Sequence, residues 1–366
     1  MSFGNNIIIP LVPVEANMLG VNVQDIGFIA SLFSMSILLM QPFVSPILSA
    51  KNKRNVLLFA ITLIGSSMFI MFVFDNTTAL KISRLIHGLG VAFSVTSCMT
   101  LVTEAVDTKD LDRAISLYGF AEVGTGAICP AIGLKLIDLI GFKYTYLICF
   151  ISLCIAFVLT CLYKYECIET KISFNLKNLI ATEGLIPVLS NIVYQIPSST
   201  ISTYIILYMN YCGIADASYF FILQSICLTI SKPVLNYLFT KFEKTKITIY
   251  SYLLYIFCFV LIQNGSYLSF VFAAIICGFA GGMISPLQQI YCIEAVGKDK
   301  NAISVTMSYL GTSVGGIIGN NTCGKLYELM GYKKMYSVMP IFVIISLMIL
   351  LLFKKYKNKN LLNKCA

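Results

Sequence analysis

The sequence predicts an all-α membrane protein: two six-helix bundles related by a pseudo-two-fold axis along the membrane normal. Composition is the first ground. Hydrophobic residues make up 58% of the 366 positions, charged residues only 12%, and the mean hydropathy is +0.84. A soluble chain of this length needs far more charge to cover its surface. Apolar runs fill most of the chain at about 18 or more residues each, the length that crosses a bilayer as a helix. An internal repeat supplies the symmetry. The stretch 136–146, LIDLIGFKYTY, returns 190 residues later as LYELMGYKKMY at 326–336. Glu104-Ala105-Val106 returns as Glu294-Ala295-Val296, Gly88 as Gly278, Lys135 as Lys325, and Pro42, one residue out of step, as Pro233. A parallel repeat of hydrophobic helices has its axis along the membrane normal.

Twelve spans follow, at residues 2–18, 25–49, 55–75, 78–105, 114–138, 142–163, 184–209, 216–240, 247–264, 267–293, 302–328 and 333–353. Alternate loops then share a side. One set, together with the tail, holds 18 of the 26 basic residues, among them Lys51, Lys53, Arg54, Lys171, Lys244 and Lys359. The positive-inside rule places that set in the cytoplasm. The expected organisation is a six-helix half over 1–163, a cytoplasmic linker over 164–183, a second half over 184–353, and a basic cytoplasmic tail over 354–366. The net charge of +9 is thus a signal of topology and implies no nucleic-acid partner.

The first span is short. It starts at Met1 and reaches a loop-like MLGVNVQD by residue 18, which leaves Gly4-Asn5-Asn6, Pro10 and Pro13 where mid-membrane should be. A cytoplasmic half-helix is therefore expected to be missing. No charged n-region or small-residue cleavage site marks a signal peptide.

Several functions are set aside by what the chain lacks. Its 13 cysteines are scattered through apolar segments with no CxxC pair, and there is a single histidine, His87. Packing explains such cysteines better than redox or zinc chemistry. No Walker A sequence, nucleophile elbow or HExxH helix occurs, so no enzyme, cofactor or metal is expected. With tryptophan absent, the 21 tyrosines must supply the interfacial aromatic belts.

Polar groups inside apolar spans are costly and mark candidate sites. Arg84 either faces a partner in a watery cavity or snorkels to the outer surface beside Lys81. Glu122 is a proton-exchanging carboxyl or a structural one. Lys232, just before Pro233, either meets a mobile partner or reaches the cytoplasmic interface. Asn5, Asn6, His87, Asn191, Gln195, Gln288 and Gln289 fall on spans 1, 4, 7 and 10, the equivalent helices of the four three-helix units. Gln224 on span 8 is a further candidate, so a central polar cavity is expected. Gly124 and Gly126 are expected to admit another helix closely.

Three stretches carry a family resemblance. Ser45–Arg54, SPILSAKNKR, stands where a G-x-L-x-D-R-x-G-R-R loop would be, with only Lys53 and Arg54 matching and Ser49 in place of the acidic residue. Arg84-Leu85-Ile86-His87-Gly88-Leu89-Gly90 is similar to R-x-x-Q-G-x-G, with His87 for Gln. Residues 119–133, GFAEVGTGAICPAIG, keep Pro130 and Gly133 of a G-P-x-x-G-G run. The chain resembles the major facilitator superfamily, and within it the twelve-helix drug:proton antiporter branch. The resemblance implies a secondary transporter and gives Arg84 a part in proton coupling. It makes Ser49, Lys53 and Arg54 the remnant of a gating loop. Proton-coupled export of a small organic solute by a monomer in the plasma membrane is the expected activity, with solute, protons and bilayer as partners. The alternatives are a metabolite importer of the same fold and a decayed or sensory carrier.

Overall fold

The computed structural model describes residues 1–50, 53–106, 110–163, 181–214, 216–297 and 301–365, and among them all regular structure is helical. Most of the expected linker, Lys109, Lys298 and Lys300 lie outside the described residues, as do the side chains of Ser49 and of the tail beyond Lys355. The chain divides into two compact units, Met1–Asn175 and Leu176–Ala366.

Unit 1 holds α1 (Ser2–Met18), α2 (Val23–Ala50), α3 (Lys53–Val73) and α4 (Thr77–Glu104). The continuous stretch Leu111–Leu162 follows. It is divided at Gly141, whose φ of 78° and ψ of 170° end α5 (111–140) and start α6 (142–162). Unit 2 repeats the pattern. Its α7 (185–211) is interrupted by a π turn at Thr200–Tyr204, and α8 (Ser218–Lys241), α9 (Lys244–Ile262) and α10 (Tyr267–Val296) follow. Asn301–Cys365 divides at Gly331, φ 73° and ψ 173°, into α11 (301–330) and α12 (332–365). Only glycine adopts that backbone without strain, which explains why LIGF and LMGY recur at 190 residues. The last helix runs on to Cys365, through the residues expected as a separate tail. Eight of the apolar stretches among the described residues are long enough to cross a membrane, two of them carrying a helix pair each.

The N-termini repeat as well. Asn76 caps α4 by accepting from the Ala79 amide at 2.8 Å, and Ser266, 190 residues on, forms a capping box with Ser269 at the start of α10. Each supplies an acceptor for an otherwise unpaired amide of the first turn.

Small residues set the helix pairing inside each unit. A Cβ at Gly88 would lie 2.5 Å from the Phe33 carbonyl oxygen, so α4 rests on the backbone of α2. The repeat mate Gly278 brings α10 onto α8, where a Cβ would lie 2.0 Å from the Gln224 carbonyl oxygen. Close backbone approach is the usual way apolar helices gain contact in lipid. In α5 the close contact is made by Gly133, against Ile7 of α1. The expectation for Gly124 and Gly126 is corrected: Gly124 has nothing within 4 Å of its Cβ position, and Gly126 only the Asn6 amide at 3.8 Å. Neither makes the close backbone approach that Gly133 makes.

The basic remnant of the α2–α3 loop is structural glue inside unit 1. Lys53 forms an ion pair with Glu104 at the end of α4. Arg54 donates to the Thr160 carbonyl at 2.9 Å and to the Cys161 carbonyl, capping the last turn of α6. Lys244 and Glu294 form the corresponding ion pair between α9 and α10.

Candidate functional site

Unit 1 contains a polar seam among α1, α4, α5 and α6. Arg84 is 6% exposed, its guanidinium 4.5 Å above the Phe33 ring. It does not snorkel. Its Nη1 lies 3.3 Å from His87 Nδ1, and His87 Nε2 lies 2.7 Å from Asn5 Oδ1. A guanidinium can only donate, so Nδ1 accepts and His87 carries its proton on Nε2, which donates to Asn5. Asn5 Nδ2 donates to Asn6 Oδ1 at 3.4 Å, and Asn6 Nδ2 to Thr125 Oγ1 at 3.3 Å. Thr125 in turn donates to the carbonyls of Ala121 and Glu122. A continuous row of hydrogen bonds thus runs from α4 through α1 to the turn of α5 that carries Glu122. The Glu122 carboxylate accepts from Ser2.

Sequence reasoning missed the other end of the seam. Glu15, near the end of α1, is 4% exposed and accepts a hydrogen bond from the Tyr146 hydroxyl of α6. The Arg84 Nε has no partner among the described residues. The seam therefore holds a buried carboxyl bonded to a phenol and a buried guanidinium bonded to His87, with no direct ion pair between them among the described residues. A carboxylate two residues beyond Pro13 in an apolar run was the available signal.

Unit 2 contains a cavity of about 120 Å³ walled by α7, α10 and α11. Asn191, Gln195, Gln288 and Gln289, all singled out from the sequence, line it, and Tyr194, Ser308, Tyr309 and Thr312 extend it. Among the described residues no charged side chain lines it. Asn191 Nδ2 donates to the Ser308 carbonyl at 2.9 Å and to Thr312 Oγ1 at 3.1 Å, while Asn191 Oδ1 accepts from Gln195 at 3.3 Å. Gln288 is anchored by Ser190, Tyr252 and Ser346. These three, from α7, α9 and α12, carried no sequence signal, being ordinary polar residues in separate helices. The π turn below Pro197 belongs to the same helix: Tyr336 donates to the Thr200 carbonyl at 2.9 Å, giving that carbonyl of the irregular turn a partner, and Tyr204 donates to the Asn320 carbonyl of α11 at 2.9 Å.

Two candidates fall elsewhere. Gln224 donates to Cys277 Sγ at 3.3 Å, outside the cavity wall. Lys232 is exposed on α8, and no acid pairs with it among the described residues. Neither unit shows a cluster that could hold a metal ion among the described residues.

Known proteins with this organisation are transporters. The chain is 24% identical over 385 aligned residues to the staphylopine export protein of Staphylococcus aureus strain Mu50, covering 97% of this chain and 94% of that one. A shorter match, 24% identical over 131 residues, covers 36% of this chain and 34% of the quinolone resistance protein NorA of Staphylococcus aureus strain MRSA252. Among solved structures, a mutant of the nucleoside transporter NupG superposes with a TM-score of 0.77 at 14% identity, covering 97% of this chain and 96% of that chain. The human organic anion transporter MFSD10 superposes with a TM-score of 0.69 at 14% identity, covering 95% and 96%. The Major Facilitator Superfamily model matches residues 1–319 and 188–364, so this chain belongs to that superfamily: it is a multi-pass membrane transporter of small molecules and not an enzyme.

Proposed function

We propose that this transporter exports a small organic solute in exchange for protons. The observation that carries the reading is the buried Glu15–Tyr146 contact. A carboxyl that gains and loses a proton inside a span changes the charge in the same unit as a buried guanidinium, whose own row of hydrogen bonds joins α4, α1 and α5. The names of two relatives, an export protein and a quinolone resistance protein, support the outward direction. The Lys-rich side, with the 164–183 linker and the tail, is assigned to the cytoplasm by the positive-inside rule, and the working form is taken as a monomer. Alternating exposure of the solute site to each side, general to this class of carrier, completes the cycle.

The test is solute-dependent collapse of a pH gradient in inverted vesicles, read with a pH-sensitive dye across a panel of neutral and charged organic solutes. Proton-coupled export requires at least one solute to release protons in the wild type and none in Glu15→Gln. Solute movement that ignores the gradient in both proteins would overturn the proposal.

A further inference from the structure

The exposed surface of α8 carries one charge that nothing nearby answers. Between Ser218 and Thr240 the only charged side chain is Lys232. It is exposed and enters no hydrogen bond or ion pair among the described residues. The first half has Gln41 before Pro42, so the proline of the repeat does not require a charge beside it.

Helix geometry divides α8 into three faces, because successive residues turn by about 100°. Gln224, Leu228, Ser231 and Leu235 share the side that packs within the unit. Cβ positions at Gly278 and Gly282 of α10 would lie 2.0 Å from the Gln224 carbonyl oxygen and 3.0 Å from that of Leu228. Ser231 and Leu235 are buried. Ile222, Ile226, Ile230 and Tyr237 lie opposite and are exposed, the apolar face that suits lipid. Ser225, Thr229, Lys232 and Asn236 form a third strip between those two. No apolar residue of α8 falls within its width of about 60°.

Acyl chains cannot cover such a strip, since a charge inside a span normally faces water or a partner. Snorkelling does not resolve the conflict. Lys241, at the end of the helix, is about 14 Å away at 1.5 Å per residue, and helical side chains lean the other way, toward the N-terminus. Ser218, in that direction, is about 21 Å away, far beyond a four-carbon stem.

The strip offers donors. Thr229 Oγ1 spends its proton on the Ser225 carbonyl at 2.9 Å. The Ser225 hydroxyl, the Lys232 ammonium and the Asn236 amide have no side-chain partner among the described residues. Asn236 stands one turn from Lys232, the spacing at which two side chains of a helix reach a common partner. An ammonium accepts nothing, so the pair is answered by a group that only accepts and carries negative charge.

We propose that the polar strip of α8 is a solute-binding surface on which Lys232, assisted by Asn236, takes the carboxylate of a small organic anion. The inference rests on the transport reading above for the existence of a solute. It does not rest on the coupling ion or the direction, because binding needs no gradient.

The test is melting of the purified protein in a neutral detergent at low salt, with benzoate, benzamide or benzamidinium. The three share one planar shape and carry negative, zero and positive charge, and a ligand that binds the folded state raises the melting temperature. Benzoate should stabilise the wild type at concentrations about tenfold or more below those needed for benzamide, and benzamidinium should have no effect. Lys232→Gln should bring benzoate down to the level of benzamide, whereas Lys232→Arg should keep most of the preference. Lys241→Gln, at the exposed end of the same helix, removes the same charge and should leave the preference unchanged. Asn236→Leu should weaken benzoate several-fold; if Lys232→Gln does not fold, this variant and the wild-type ranking decide. Absence of benzoate binding, equal effects of the three probes, a preference that survives Lys232→Gln, or one lost equally in Lys241→Gln would each overturn the proposal. Failure of the Glu15→Gln transport test would leave this result intact, so the two readings fail separately.

Discussion

Gly278 of α10 sits so close to Gln224 of α8 that a methyl group in its place would lie 2.0 Å from the Gln224 carbonyl oxygen. Gly88 stands in the same relation to Phe33 at 2.5 Å, and the two contacts are repeat images of each other. Backbone cannot yield as a flexible side chain can, so each glycine sets the distance between its pair of helices. Gly278→Ala and Gly88→Ala should each destabilise the protein by about 1–3 kcal/mol through overpacking. Gly124→Ala, with open space at its Cβ position, should be neutral or slightly stabilising. Melting temperatures of the three variants in detergent check the order; equal losses would refute it.

The Glu15–Tyr146 contact makes its own demand. Tyr146→Phe keeps the ring and removes only the hydroxyl that meets Glu15. If that bond serves proton exchange at the carboxyl, this variant should insert and melt normally yet slow proton-linked transport by about tenfold or more, the scale of one lost buried hydrogen bond to a charged group. Vesicle transport rates measured beside melting temperatures separate the two effects. Unchanged transport would confine Tyr146 to packing.

The two repeat-related ion pairs differ in setting. The side chains of Lys53 and Glu104 are 4% and 17% exposed, those of Lys244 and Glu294 20% and 43%. Removing one partner from a buried pair strands a charge, at a cost of about 3–5 kcal/mol, whereas exposed pairs are worth about 1 kcal/mol or less. Lys53→Met should therefore lower the melting temperature clearly more than Lys244→Met. The reverse ranking would count against burial as the deciding factor.

Topology is open to direct labelling. In a cysteine-depleted background, single cysteines at Lys171 and Lys359 should resist a membrane-impermeant thiol reagent added to intact cells and react after permeabilisation. Strong labelling from outside at either position would contradict the cytoplasmic assignment of linker and tail.

Much of this fold is written in the order of residues alone. The lipid environment admits only helices of bilayer length whose backbone groups are paired internally, so apolar runs translate almost directly into spans. The 190-residue offset did more than reveal two halves. It marked Gly141 and Gly331 as the same joint, Asn76 and Ser266 as the same cap, and Gly88 and Gly278 as the same contact, because each depends on a backbone requirement that one or a few residue types meet. The amide-bearing residues Asn191, Gln195, Gln288 and Gln289 were legible as a group, since polar side chains in apolar helices need a shared reason to be there.

Tertiary structure decided what spacing could not. Gly124, Gly126 and Gly133 look alike along α5, but only Gly133 meets the backbone of α1, while Gly126 faces an α1 side chain at 3.8 Å and Gly124 faces open space. Glu15 reads as a residue near a helix end, and the tertiary structure makes it a buried group hydrogen-bonded to Tyr146 of α6. Gln288 and Gln289 are neighbours in sequence. One is locked by hydroxyls from three other helices and the other is not, a difference made entirely by which side of α10 each occupies. Local sequence specifies the helix and its ends, while the direction a side chain faces depends on contacts with residues far along the chain.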